Sequence, residues 1–153
     1  MNHTQPETTD TTRLAFQATI HCLTGCGIGE VLGLGGATLL GLGNAASIVL
    51  GIVLAFVFGY GLTFVPLLRA GMPFLRATGI TLAAETLSIT TMETVDNIVV
   101  LAIPGAMDAG LADLLFWGSL ALSLALAFVA AFPVNRWLIA RGLGHAVMHA
   151  VHS

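Results

Sequence analysis

Hydrophobic positions dominate this chain in long blocks, and glycine, proline and arginine punctuate them. Apolar residues run from about Leu14 to Leu34, Ala45 to Leu68, Ala77 to Ile103 and Ala112 to Trp137. Each block reaches the ~20 residues that a helix needs to cross a hydrocarbon core. The first block fades into Gly33, Gly35, Gly36, Gly41 and Gly43, which predicts a helix end and a loop, with Asn44 placed to cap the next helix. Pro66 predicts an end or a kink in the second block, and Pro133 a kink near the end of the fourth. Pro73 suits the first turn of the third helix, and Pro104-Gly105 stops it. The pattern predicts an all-α, polytopic membrane four-helix bundle over residues 14–141. Residues 1–13 read as a polar, disordered tail and residues 142–153 as a histidine-rich tail.

Composition sharpens this. Of 153 residues, 56% are hydrophobic and 8% charged, against about 25% charged in a soluble domain. Mean hydropathy is +0.93. The net charge of −3 gives nucleic acid nothing to bind. No basic n-region of a secretory signal is present. The basic residues are five arginines: Arg13, Arg69, Arg76, Arg136 and Arg141. Four alternating spans put all five on one side, and Asp108 and Asp113 on the other. The positive-inside rule then predicts both termini in the cytoplasm, N-in and C-in. Trp117 and Trp137 lie twenty residues apart, ~30 Å along a helix, as an aromatic belt requires.

Two blocks carry chemistry that lipid would not tolerate without partners. In the first, His21-Cys-Leu-Thr-Gly-Cys-Gly-Ile-Gly-Glu30, Cys22, Cys26 and Glu30 fall four apart and form one helical stripe. Gly25, Gly29 and Gly33 form a second stripe beside it, a pattern that lets another helix approach closely. His21 sits ~100° round from Cys22 and joins the stripe only if the helix is irregular. In the third block, Glu85, Ser88, Met92, Glu93 and Asp96 share one face, with Leu87, Thr91, Thr94 and Ile98 opposite. Each charged carboxyl at mid-bilayer costs ~2.5–3.5 kcal/mol on insertion scales, so the three need partners, protons or cations.

The first and third spans run parallel. Cys22 and Glu30 lie nine and seventeen residues beyond Arg13; Glu85 and Glu93 lie nine and seventeen beyond Arg76. To within about a turn, Cys22 faces Glu85 and Glu30 faces Glu93. The expected result is one polar lane lined by His21, Cys22, Cys26, Glu30, Glu85, Met92, Glu93, Asp96 and Asn97.

Buried cysteines are often only small hydrophobes, and a lone methionine is often only packing. Two thiols that share a stripe with a carboxyl, beside an imidazole, point instead to ligation. A disulfide between residues four apart is disfavoured by helix geometry. Cys22 and Cys26, with His21 and Met92 as auxiliaries, suit Cu(I) first and Zn(II) or another heavy metal next. Such binding releases protons, which Glu30, Glu85, Glu93, Asp96 and Asn97 could relay. His145, His149 and His152 share a helical face at i, i+4, i+7 and could hold a cytoplasmic metal ion, or simply lie at the interface.

The expected function is therefore binding and translocation of a soft transition-metal cation. A proton or cation channel built on the carboxyls, in which Glu30 and Glu93 share a proton, is one alternative. A non-transporting membrane subunit, whose carboxyls hydrogen-bond neighbouring hydroxyls, is another. No Ser-His-Asp spacing, HExxH or phosphate loop occurs, and CxxxC replaces the CxxC of thiol redox enzymes, so no enzyme is expected. A single small bundle leaves little room for a wide path, so a homo-oligomer in contact with lipid is expected.

Together HCLTGCGIGE, AAETLSITTMETVDN, AIPGAMDAGL and AAFPVNRWLIARGLGHAVMH resemble a bacterial family of small integral membrane proteins classed as a domain of unknown function. The likeness runs from about Ala18 to His149. The family pattern usually has Asp where this chain has Glu85, which keeps the carboxyl on a shorter arm. The resemblance implies a four-span domain in the bacterial inner (cell) membrane, and it implies no activity, substrate or site.

Overall fold

The computed structural model describes residues 5–142, with side chains from Asp10 onward. It contains four long α-helices: α1 (Gln5–Leu39), α2 (Asn44–Arg69), α3 (Phe74–Ala102) and α4 (Leu114–Ala140). A single 3-10 turn, Ala106–Asp108, interrupts the connection between α3 and α4. No strand occurs among the described residues. The fold is an all-helical bundle, and α1 from Asp10, α2 and α4 are each long and apolar enough to cross a membrane. α3 has the length, 29 residues, but with its carboxyls and hydroxyls it is not among the helices apolar enough by composition.

Several boundaries differ from the sequence pattern. α1 begins at Gln5, inside the stretch expected as tail, because extending an existing helix adds a hydrogen bond per residue without a new nucleus. It also runs on through the glycines to Leu39. Glycine is a poor helix former, but packing against α2 outweighs propensity here. The helix stops at Gly41, whose φ of +66° is easy only for glycine. Leu42 N–H donates to the Ala37 carbonyl and Gly41 N–H to Thr38, closing the end. Gly71 ends α2 in the same way. Pro66 ends nothing, since α2 continues to Arg69. Nor does Asn44 cap α2. Gly43 holds the cap position, and the Asn44 amide donates instead to Asp108, 3.2 Å away. α4 starts two residues later than expected, with Asp113 at its cap position, and runs three residues further, to Ala140.

α1 packs most extensively on α2, and α3 on α4; α1 also meets α4, and α2 meets α3. α1 and α3 touch across one diagonal, whereas α2 and α4 make almost no direct contact. The antiparallel α1–α2 pair is held by its small residues. A Cβ on Gly25 would lie 2.9 Å from Gly59 Cα, one on Gly29 2.3 Å from Ala55 N, and one on Gly33 2.5 Å from Gly51 Cα. Dispersion between closely packed backbones, rather than water exclusion, binds helices in lipid.

Apolar side chains cover the outside, among them Phe16, Leu32, Val57, Leu82, Ile98 and Val129. A large exposed apolar surface of this kind is what a lipid solvent requires. The four-helix topology gathers the arginine-bearing segments at one end of the bundle. The Leu40–Gly43 loop and the 103–113 connection lie at the other, with Asp108 and Asp113. Trp117 and Trp137 are about half exposed near the two ends of α4. Trp117 Nε1 donates to the Leu111 carbonyl at 2.8 Å, and the Arg141 guanidinium lies 4.8 Å from the centroid of Trp137.

Candidate functional site

The α1 stripe of Cys22, Cys26 and Glu30 turns across the diagonal toward α3. On α3, the 3.6-residue period puts Thr81, Glu85, Ser88, Met92, Glu93 and Asp96 on the inward face, and all six are buried. Between these faces lies a column of polar groups inside an apolar bundle.

At the arginine-side end of the column, Glu85 Oε1 accepts a 2.7 Å hydrogen bond from Thr63 of α2, and Cys22 lies close to the same carboxyl. Ser88 Oγ donates to Cys22 Sγ at 3.4 Å. One turn along α1, Cys26 lies beside Cys22 and beside Glu93. Cys22, Cys26 and Met92 are 1% exposed and share one cluster with Ala55, Ile89, Ala127 and Ala131. Glu30, half-buried, reaches both Glu93 and Asp96. Gly51 of α2 leaves room for it, since a Cβ there would sit 3.4 Å from both Glu30 oxygens. Asp96 is bonded to Ser123 of α4. Asn97 turns back on its own helix and donates to the Glu93 carbonyl at 2.8 Å.

The register is therefore Cys22 at Glu85 and Ser88, Cys26 at Glu93, and Glu30 between Glu93 and Asp96. Glu93 is the exceptional member. It is 4% exposed, and neither carboxyl oxygen has a hydrogen-bond partner of ordinary geometry among the described residues. Its polar neighbours, Glu30, Asp96 and Cys26, bear on it only electrostatically or at long range. A buried polar group left this way costs free energy of order 1–3 kcal/mol or more.

A cavity of about 50 Å³ opens beside this point, lined by Glu30, Asp96, Asn97, Ser47 and Ser119 among others. It has room for a few water molecules. It lies toward the acidic end of the bundle, with Ala106 and Met107 of the 3-10 turn in its wall. Toward the other end the column closes. The Thr81 hydroxyl is buried without a hydrogen-bond partner among the described residues, and beyond it Leu67 and Ala77 pack with Phe64, Met72 and Ile80. Asn135 of α4 donates to Thr19 of α1 at 2.9 Å, a second buried polar tie in this region.

His21 is half-buried on a helix that is regular at that point, so it stays about 100° round from Cys22. No three His, Cys, Asp or Glu side chains among the described residues converge tightly enough to clasp a metal ion as they stand. Asp108 and Asp113 are exposed, taken up by Asn44 and by the Gly110 N–H. His145, His149 and His152 lie outside the described residues.

The lane has members that reading by charge alone does not find: Thr63, Ser119, Ser123, Thr19 and Asn135. α2 is more than the scaffold its apolar sequence suggests, since Thr63 binds Glu85. The signal that reveals these residues is again a period of four. Gly51, Ala55, Gly59 and Thr63 mark the inward stripe of α2, and Ser119, Ser123, Ala127, Ala131 and Asn135 that of α4.

A family model described as Domain of unknown function (DUF4396) matches residues 11–144. No curated protein and no solved structure matches the chain.

Proposed function

The chain belongs to this family, whose description carries no activity, and from its own residues we propose that it binds a soft transition-metal cation and moves it across the membrane along the α1–α3 lane. The observation that carries the reading is the placement of Cys22, Cys26 and Met92 in one buried cluster with the unpartnered Glu93 beside Cys26. Two thiols and a thioether form a donor set that favours Cu(I), with Zn(II) next. The thiols lose protons on binding, and the Glu93 carboxylate balances the remaining charge. His21 is an auxiliary donor that needs a local change in α1. Small adjustments of Cys22 and Cys26, adjacent on one face, would close the site around an arriving ion.

In this reading α3 is the fourth span, its carboxyls turned inward and its Leu82, Leu87 and Ile98 outward. Both termini are cytoplasmic, with the arginine end inside, in the bacterial inner membrane. The cation enters through the cavity at the acidic end, and the Leu67–Ala77 constriction has to part for passage. Copies of the bundle associate side by side in the lipid.

The test is metal content after loading with Cu(I) and Zn(II), with the Cys22→Ser/Cys26→Ser protein beside the unaltered chain, followed by uptake into proteoliposomes. Near-stoichiometric metal that disappears in the double variant is expected. Absence of metal from both proteins removes the soft-metal reading. A second reading, conduction of protons or cations along the carboxyls alone, draws on the cavity beside Glu30 and Asp96. It predicts flux that survives loss of both thiols.

A further inference from the structure

Ser123 has more partners than its one proton can serve. Its Oγ is within bonding distance of Asp96 Oδ1 and 2.9 Å from the Leu120 carbonyl oxygen. A hydroxyl donates once and accepts through its lone pairs. If the proton goes to an ionised Asp96, two acceptor oxygens, Ser123 Oγ and Leu120 O, face each other with nothing between them. If it goes to Leu120, the hydrogen bond to Asp96 has to be supplied from the carboxyl side. Only the second arrangement uses both contacts, and it requires Asp96 to be a carboxylic acid.

The surroundings agree. Asp96 is 2% exposed. The titratable groups that face it are Glu30 from α1 and Glu93 on its own helix, both carboxyls. The polar groups that α2 and α4 bring to the cavity wall are the Ser47 and Ser119 hydroxyls, and Ser123 of α4 reaches Asp96 from behind that wall. The arginine-bearing segments lie toward the opposite end of the bundle. Three carboxyls with no facing cation, in a low dielectric, repel one another strongly if all are ionised.

We propose that Asp96 and Ser123 form a proton-binding site at the floor of the cavity, with the Asp96 carboxylic acid donating to Ser123 Oγ. The cavity water exchanges this proton with the acidic face of the membrane. Transfer inward breaks the Asp96 O–H bond and forms one on Glu30, and the Asp96 carboxylate left behind is reprotonated from the cavity. The assignment stands on the Ser123 geometry and holds whether or not metal travels the lane; its coupling to transport rests on the proposed function.

Infrared spectroscopy of the full-length protein in lipid nanodiscs tests it. The expected result is a carboxylic-acid C=O band at neutral pH that moves on exchange into heavy water. It is lost in Asp96→Asn and kept in Glu93→Gln. In Ser123→Ala it shifts to higher frequency, because the acid has lost its hydrogen-bond acceptor. If Asp96→Asn fails to fold, the Ser123→Ala shift decides alone, since that change removes only a hydroxyl. Absence of any such band, or a band that Ser123→Ala leaves unmoved, overturns the proposal. Metal content of the same samples reads the soft-metal function separately, so either can fail without the other.

Discussion

Replacing Gly29 by alanine adds a single methyl group at the tightest point of the molecule. Its Cβ would lie 2.3 Å from the Ala55 amide nitrogen and 2.5 Å from Ala55 Cα. These are backbone atoms of α2, which no rotamer change can move aside. Ordinary contact begins near 3.4 Å, so α1 and α2 must separate by roughly 1 Å in a core packed at crystal-like density. Overpacking of this kind costs about 1–3 kcal/mol. Against it, alanine favours the helix by about 0.5–1 kcal/mol over glycine. A net loss of ~1–2 kcal/mol is expected, together with displacement of neighbouring Glu30 from Glu93 and Asp96. Gly27, two residues earlier on the same helix, is the internal control. A Cβ there meets only Leu124 Cδ1 at 3.6 Å, so Gly27→Ala keeps the propensity gain and is expected to be neutral or stabilising. Unfolding of both variants by denaturing detergent, followed by circular dichroism, gives the comparison. Equal stabilities for Gly29→Ala and Gly27→Ala would refute the argument that close backbone packing sets the α1–α2 contact.

Other expectations follow from single contacts. Thr63→Val removes the 2.7 Å donor to buried Glu85 and should cost about 1–3 kcal/mol, with Thr63→Ser restoring most of it in the same unfolding assay. Asn135→Leu breaks the tie to Thr19 and should cost less, about 0.5–1.5 kcal/mol, since hydrogen bonds between membrane helices average below 1 kcal/mol. Gly41→Ala places a Cβ at φ +66° and should destabilise the protein by about 1 kcal/mol, while Gly61→Ala, with nothing within 4 Å of its Cβ, should not. In a background lacking Cys22 and Cys26, single cysteines at Ala70 and Asp108 should react with an impermeant maleimide from opposite sides of sealed vesicles. Labelling of both from one side would deny that α3 spans.

How much was legible follows from period and charge. The spacing of Cys22, Cys26 and Glu30, and of Glu85, Met92, Glu93 and Asp96, fixed which groups share a face, because 3.6 residues per turn leaves no choice. The distances from Arg13 and Arg76 placed the two faces at matching depth, and the structure pairs them within about a turn. The glycine run misled the reading of α1, because propensity describes an isolated helix and Gly33 is held by Gly51. Asn44 misled in a similar way, since its amide goes to Asp108 across the loop and Gly43 takes the cap position. Ser123 and Thr63 went unread because a hydroxyl in an apolar helix satisfies itself on the preceding turn as easily as it serves a neighbour.

The sequence by itself determined that four helices form, that their outward faces are apolar, that the arginines collect at one end with Asp108 and Asp113 at the other, and that four carboxyls and two thiols look inward. Only the tertiary structure decided what each inward face meets. The glycine stripe of α1 went to α2 and the thiol stripe to α3, although the two stripes lie side by side on one helix. The reason is physical. A helix fixes the angles between its own side chains, but which neighbour fills each angle depends on where backbones can approach closest. That approach is set by Gly25, Gly29 and Gly33 meeting Gly59, Ala55 and Gly51. With that contact fixed, Thr63 was placed at Glu85 and Ser123 at Asp96, and the Glu93 oxygens were left without a hydrogen-bond partner among the described residues.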